Sequence, residues 1–169
     1  MFSQTTWTIL PSNTTSHLSD ITFLSTTHGF IVGENDTILK TTDTRSTWYS
    51  VFAASWDYFK SVSFYDDTTG FVISNQNLYT TTDGGNNWSL VYTSETSSLN
   101  VVFFVTPNMG FIGTDVSILK TIDGSQNWLS QSVANPINSI TFPNPTKGYF
   151  VGGIDVSSLL YKTDNQGLT

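Results

Sequence analysis

The sequence predicts an all-β fold: a β-propeller of four repeats of about 40 residues, each a four-stranded antiparallel blade. One ground is a spaced motif, carried by Thr41, Asp43 and Trp48, by Thr81, Asp83 and Trp88, and by Thr121, Asp123 and Trp128, at a constant step of 40 residues. A second is the alternation of apolar and polar residues with a period of two, which marks strands with one buried face. The third is composition. β-Branched and aromatic residues abound and no window carries apolar residues at helical spacing, so essentially no helix is predicted.

Along the chain each repeat runs through the same events. An inner strand comes first: Leu18-x-x-Ile21-x-Phe23, Val62-x-Phe64, Val102-x-Phe104 and Ile140-x-Phe142. A turn rich in Thr, Asp, Asn and Pro leads to a second strand that opens on a glycine and an aromatic residue, at Gly29-Phe30, Gly70-Phe71, Gly110-Phe111 and Gly148-Tyr149. The third strand, Ile38-Leu39-Lys40-Thr41 in the first repeat, runs into the Asp motif, and a short outer strand follows each motif tryptophan. A lone blade cannot cover both faces of its sheet, so blades are expected to pack in a ring with the Phe and Ile positions between them.

The last repeat departs from the pattern. Leu160-Tyr161-Lys162-Thr163 aligns with Ile118-Leu119-Lys120-Thr121, which places Asn165 at the Asp position and Gly167 at the Gly position, and Thr169 falls one residue before the expected tryptophan. The segment Thr5-Thr6-Trp7-Thr8-Ile9-Leu10 resembles Ser46-Thr47-Trp48 and its strand, so Trp7 is expected to close the ring by completing the last blade. The expectation is one domain, 1–169, with repeats at about 11–52, 53–92, 93–133 and 134–169 plus the N-terminal strand 5–10. Three arrangements stay open: four blades closed in cis, a homo-oligomer in which a second chain completes a larger ring in trans, and an isolated or engineered fragment of a longer propeller.

These residues resemble the BNR or Asp-box repeat family, and more narrowly the propellers like photosystem II stability and assembly factors. In them Gly-Phe, Ile-Leu-Lys-Thr and Asp-Gly-Gly-x-x-Trp follow in this order, as they do here through Thr81-Thr82-Asp83-Gly84-Gly85-Asn86-Asn87-Trp88. The resemblance implies a WD40-like architecture in which the Asp box is the turn between the third and fourth strands. A carboxylate there accepts turn amides, glycine takes positive φ, and tryptophan covers the neighbouring hairpin. The photosystem role is not expected to carry over, because the likeness implies arginine-rich surfaces and this chain has the single arginine Arg45.

Composition excludes several functions. A net charge of -7, with six Lys and Arg in total, argues against nucleic acid, whose phosphates need clustered cations. Lys40, Lys120 and Lys162 recur at one repeat position and are read as solvated strand-edge lysines. With no cysteine there is no disulfide or thiolate metal site, and no apolar window is long enough to span a bilayer as a helix. The start, Met1-Phe2-Ser3-Gln4, does not read as a signal peptide; an extracellular or periplasmic location is nevertheless expected, with any export signal lying outside this chain.

Asp-box propellers include sialidases, and that likeness implies three substrate-binding arginines, so one arginine argues against a sialidase and no catalytic residue is predicted. Asp36, Asp115 and Asp155 recur at the turn between second and third strands and are read as turn formers; no metal and no cofactor is predicted. The best binding candidate is the loop containing Trp56, Asp57, Tyr58 and Phe59, on the face opposite the Asp boxes; Trp56 lies outside the tryptophan register and so has no shared structural task. The alternative is that Trp56 or Phe59 plugs the ring. The leading functional reading is a non-catalytic interaction or assembly scaffold that binds a protein partner through this loop face. A carbohydrate-recognising propeller, binding a glycan by aromatic stacking, is the other.

Overall fold

The computed structural model describes residues 8–43, 47–51, 57–154 and 157–167. The described residues form no helix and fall into four antiparallel sheets, the four blades of a β-propeller. The first blade is β1 (Leu18–Phe23), β2 (Gly29–Gly33), β3 (Ile38–Thr41) and β4 (Tyr49–Ser50), hydrogen-bonded in that order. The second is β5 (Ser61–Phe64), β6 (Gly70–Ile73), β7 (Asn77–Thr81) and β8 (Ser89–Thr93), and the third β9 (Leu99–Phe104), β10 (Gly110–Thr114), β11 (Ser117–Thr121) and β12 (Leu129–Ser132). The fourth shows three strands among the described residues, β13 (Ile137–Asn144), β14 (Lys147–Ile154) and β15 (Ser157–Thr163). Trp7 lies outside the described residues, and Thr8, Ile9 and Leu10 join no sheet.

The recurring glycine has a steric reason. Phe64 pairs with Gly70 and Phe104 with Gly110 across each inner hairpin, and the ring lies over the glycine so closely that a Cβ there would come within 2.5 Å of it. The aromatic residue next to that glycine points into the following blade. Phe30 stacks on Phe64 at 4.2 Å between centroids, Phe71 lies parallel to Phe104, and Phe111 stacks on Phe142 at 4.7 Å. The core is therefore three interblade layers rather than one central cluster. The first joins Phe30, Val32 and Ile38 to Phe59, Val62, Val72 and Trp88, the second centres on Phe71, Leu99 and Phe104, and the third on Phe111, Ile137 and Phe150.

Inner strands have an edge facing the propeller axis, and side chains of the preceding blade satisfy part of it. Asp20 accepts the Val62 amide at 2.9 Å, Ser61 accepts the Val102 amide at 3.4 Å, and Ser63 accepts the Phe104 amide at 3.1 Å. Packing runs β1 on β5, β5 on β9 and β9 on β13, so successive blades sit in chain order.

Candidate functional site

The propeller presents two faces. One carries the Asp boxes together with the turns between first and second strands, and the other carries the turns between second and third strands together with the interblade loops.

In the second box, Thr81 Oγ1 donates to Asp83 Oδ1 at 2.9 Å and accepts the Gly85 amide at 2.9 Å. Asp83 also accepts the Asn86 and Asn87 amides, and its Oδ2 accepts from the Asn87 side chain at 2.7 Å. The third box repeats this: Thr121 donates to Asp123, the Ser125 amide to Thr121, and Asn127 gives Asp123 both its amide and its side chain. In the first, Thr41 and Thr47 donate to Asp43 at 3.1 and 2.8 Å. In the fourth, Thr163 donates to Asn165 at 2.9 Å and accepts the Gly167 amide at 2.7 Å. The donors around Asp83 and Asp123, led by the side chains of Asn87 and Asn127, hold both carboxyls down at about 2. These carboxylates are occupied acceptors, ill suited to shuttle protons near neutrality.

The box tryptophans face inward. Trp48, Trp88 and Trp128 each stand edge-on to the inner-strand phenylalanine of their own blade, Phe23, Phe64 and Phe104, at 5.9–6.3 Å. Gly85 takes φ +77°, and a Cβ there would lie 2.4 Å from Phe30 of the preceding blade. Lys40 and Lys120 differ from the solvated lysines expected: each is buried over the aromatic ring of its own second strand, Phe30 and Phe111. Lys40 Nζ donates to the Gly84 carbonyl at 2.7 Å and to Asn86 at 3.1 Å, tying the first blade to the second blade's box. Lys162 is exposed and pairs with Asp164 at 2.7 Å.

On the loop face Trp56 lies outside the described residues. Asp57 is not held out to solvent for a ligand. Its amide donates to Asp36 at 2.7 Å, its carbonyl accepts the Asp36 amide at 2.9 Å, and its Oδ2 accepts from the Tyr79 hydroxyl at 2.6 Å and from Asn77 at 3.1 Å. Phe59 is buried between the first two blades, edge-on to Tyr79 at 5.6 Å. Tyr58, between them, is half exposed.

Between the second and third blades runs a polar chain that the sequence pattern does not mark. Lys60 Nζ donates to Ser98 at 2.9 Å and to Asn100 at 3.3 Å, and Asn100 donates to Asp115 at 2.9 Å. Burial pulls the Lys60 ammonium below its ordinary range, with the Asp115 charge acting in the opposite sense. Lys60, Asn100, Asp20 and the inner-strand serines line a polar cavity of about 420 Å³. Among the described residues no three His, Asp or Glu side chains gather in a group that would hold a metal ion.

A structure of YCF48 bound to D1 peptide is 23% identical, with a TM-score of 0.70 over 92% of this chain and 56% of that one. YCF48 from Cyanidioschyzon merolae is 24% identical, with a TM-score of 0.70 over 90% of this chain and 57% of that one. The chain thus spans a little over half the length of these proteins. An ancestral GH74 enzyme is 15% identical, with a TM-score of 0.75 over 98% of this chain and 25% of that one, a likeness of fold alone. No curated protein sequence matches the chain.

The sequence family described as photosynthesis system II assembly factor YCF48 matches residues 1–98, more than half the chain. This overturns the expected extracellular or periplasmic location, because the matching family is described as a photosynthesis system II assembly factor. With the repeats, the fold and the sequence match in agreement, the chain belongs to the family of the photosystem II assembly factor YCF48.

Proposed function

We propose that this chain is a non-catalytic propeller that binds an extended segment of a protein partner on its loop face, between Tyr58 and the Lys60–Asn100–Asp115 chain. The observation that carries the reading is membership of an assembly-factor family, one structure of which holds a peptide. The chemistry of the face supports it. Tyr58 offers an exposed, rigid ring with a hydroxyl at its tip, and the Asn100 amide and Asp115 carboxylate suit peptide C=O and N–H groups. With a net charge of -7 the chain favours a neutral or basic segment over an acidic one.

A non-enzymatic reading agrees with the occupied box carboxylates and with the single arginine. The GH74 likeness concerns fold alone and lends no support to a glycan partner. Calorimetric titration with a D1 peptide and with a panel of oligosaccharides tests the proposal. Peptide binding that weakens in Tyr58→Ala is expected; oligosaccharide binding with no peptide binding would refute it.

A further inference from the structure

The second and third blades, each a complete sheet of four strands, are tied near the axis and stand apart farther out. Near the axis Ser61 and Ser63 accept amides of β9, and Lys60 reaches Ser98 and Asn100. Farther out, the bond that Lys40 makes across the first junction has no counterpart. Thr80 takes the lysine's place in the second blade, and its hydroxyl donates to the Gly70 and Thr81 carbonyls of its own blade. The side chains beside the gap are smaller too. Tyr79 and Leu90 are opposite neighbours on β7 and β8, with Tyr79 buried against Phe59, whereas the same places on β11 and β12 hold Leu119 and Ser130. A groove of about 440 Å³ results, walled by Leu119, Trp128, Ser130 and Ser132 of the third blade and by Tyr92 and Ser97 on the side of the second.

We propose that this groove binds a short uncharged saccharide, at a site separate from the one that meets the peptide. Its volume falls within the range of about 300–1,000 Å³ usual for small-molecule sites. None of the side chains lining it is charged, so nothing there offsets the hydration an ionic ligand would lose. Ser117 opposes Ser132 and Leu119 opposes Ser130, so these four share one face of the sheet, and Trp128, two residues before Ser130, shares it with them. The groove therefore presents the face of two strands and not a strand edge. It lacks the row of backbone N–H and C=O groups that an extended peptide needs in order to add as a strand.

What it offers instead matches a sugar. Ser130 and Ser132 are exposed, and a hydroxyl both donates and accepts, as sugar hydroxyls do. Leu119 and the rings of Tyr92 and Trp128, 5.8 Å apart, supply apolar and π surface for the C–H face of a sugar ring. Among the described residues Trp88 and Trp128 each keep a buried indole N–H with no acceptor. Trp88 is enclosed in its interblade layer, whereas Trp128 lines the groove, where a ligand hydroxyl is the kind of acceptor that N–H lacks.

Heteronuclear NMR of the full chain, titrated in turn with maltotriose, cellotriose and triacetylchitotriose, tests the site. At least one is expected to bind, with shifts concentrated at the Trp128 indole, Ser130 and Ser132. Ser130→Leu gives the third blade the second blade's residue at an exposed position; it should weaken that binding about tenfold or more and leave D1-peptide affinity unchanged. Tyr58→Ala should leave saccharide binding unchanged, so that failure of the peptide reading and failure of this one are told apart. Binding of none of the three saccharides, or binding indifferent to Ser130→Leu, overturns the proposal. D1-peptide affinity lowered by Ser130→Leu overturns it equally, because the groove then holds the peptide.

Discussion

The Asp-box face makes nearly the same bonds in each repeat, whereas on the loop face Asp57 serves one junction and Lys60 another, through different partners. A bond repeated in every blade is one the blade needs. Residues that break the repeat are free to differ, and they sit on the face proposed here to meet a partner. Buried Lys40 and Lys120 on the first face and half-exposed Tyr58 on the second express the same contrast in burial.

The largest expected effect removes a shared element. Phe104→Ala empties a ring that stacks on Phe71 and meets Trp128, and should destabilise the fold by about 4 kcal/mol, read as a lowered denaturant midpoint. Gly85→Val combines an unfavourable φ with a Cβ pressed against Phe30, and about 3 kcal/mol is expected in the same experiment. A smaller effect comes from acid. Asp83 and Asp123 are depressed to about 2, against about 3.9 in an unfolded chain, so the stability they confer is complete above roughly pH 4 and is lost as pH falls through 2. Thermal melting between those pH values should show that loss, and a double Asp83→Asn, Asp123→Asn variant should show less of it; equal slopes would break the account of the boxes. Least of all in stability, Tyr58→Ala should stay within about 0.5 kcal/mol of wild type, since half its surface is already in water.

Much of the fold was legible because it is local. Gly-aromatic pairs, period-two strands and the Thr-x-Asp box each write their geometry within a few residues, and Phe64 opposite Gly70 is the physical content of one such pattern. What escaped the sequence crosses between blades. Lys40 reaches Gly84, and Lys60 reaches Asn100, over some 40 residues of chain, so a lysine that reads as a solvated strand-edge residue is in fact a buried tie. Asp57 looked available by its place in a loop, but Tyr79, which takes it, sits on a strand of the next blade. Phe59, weighed as a plug of the ring, is instead part of the layer between the first two blades, Tyr58 is half exposed, and Trp56 lies outside the described residues.

The most direct test of the central claim is the D1-peptide affinity of two single variants measured side by side, Tyr58→Ala on the loop face and Asp83→Ala on the box face, each at a temperature where it is folded. The account predicts that Tyr58→Ala weakens binding about tenfold while Asp83→Ala lowers the melting temperature and leaves affinity unchanged. Weakened binding in Asp83→Ala, with wild-type affinity in Tyr58→Ala, would contradict it.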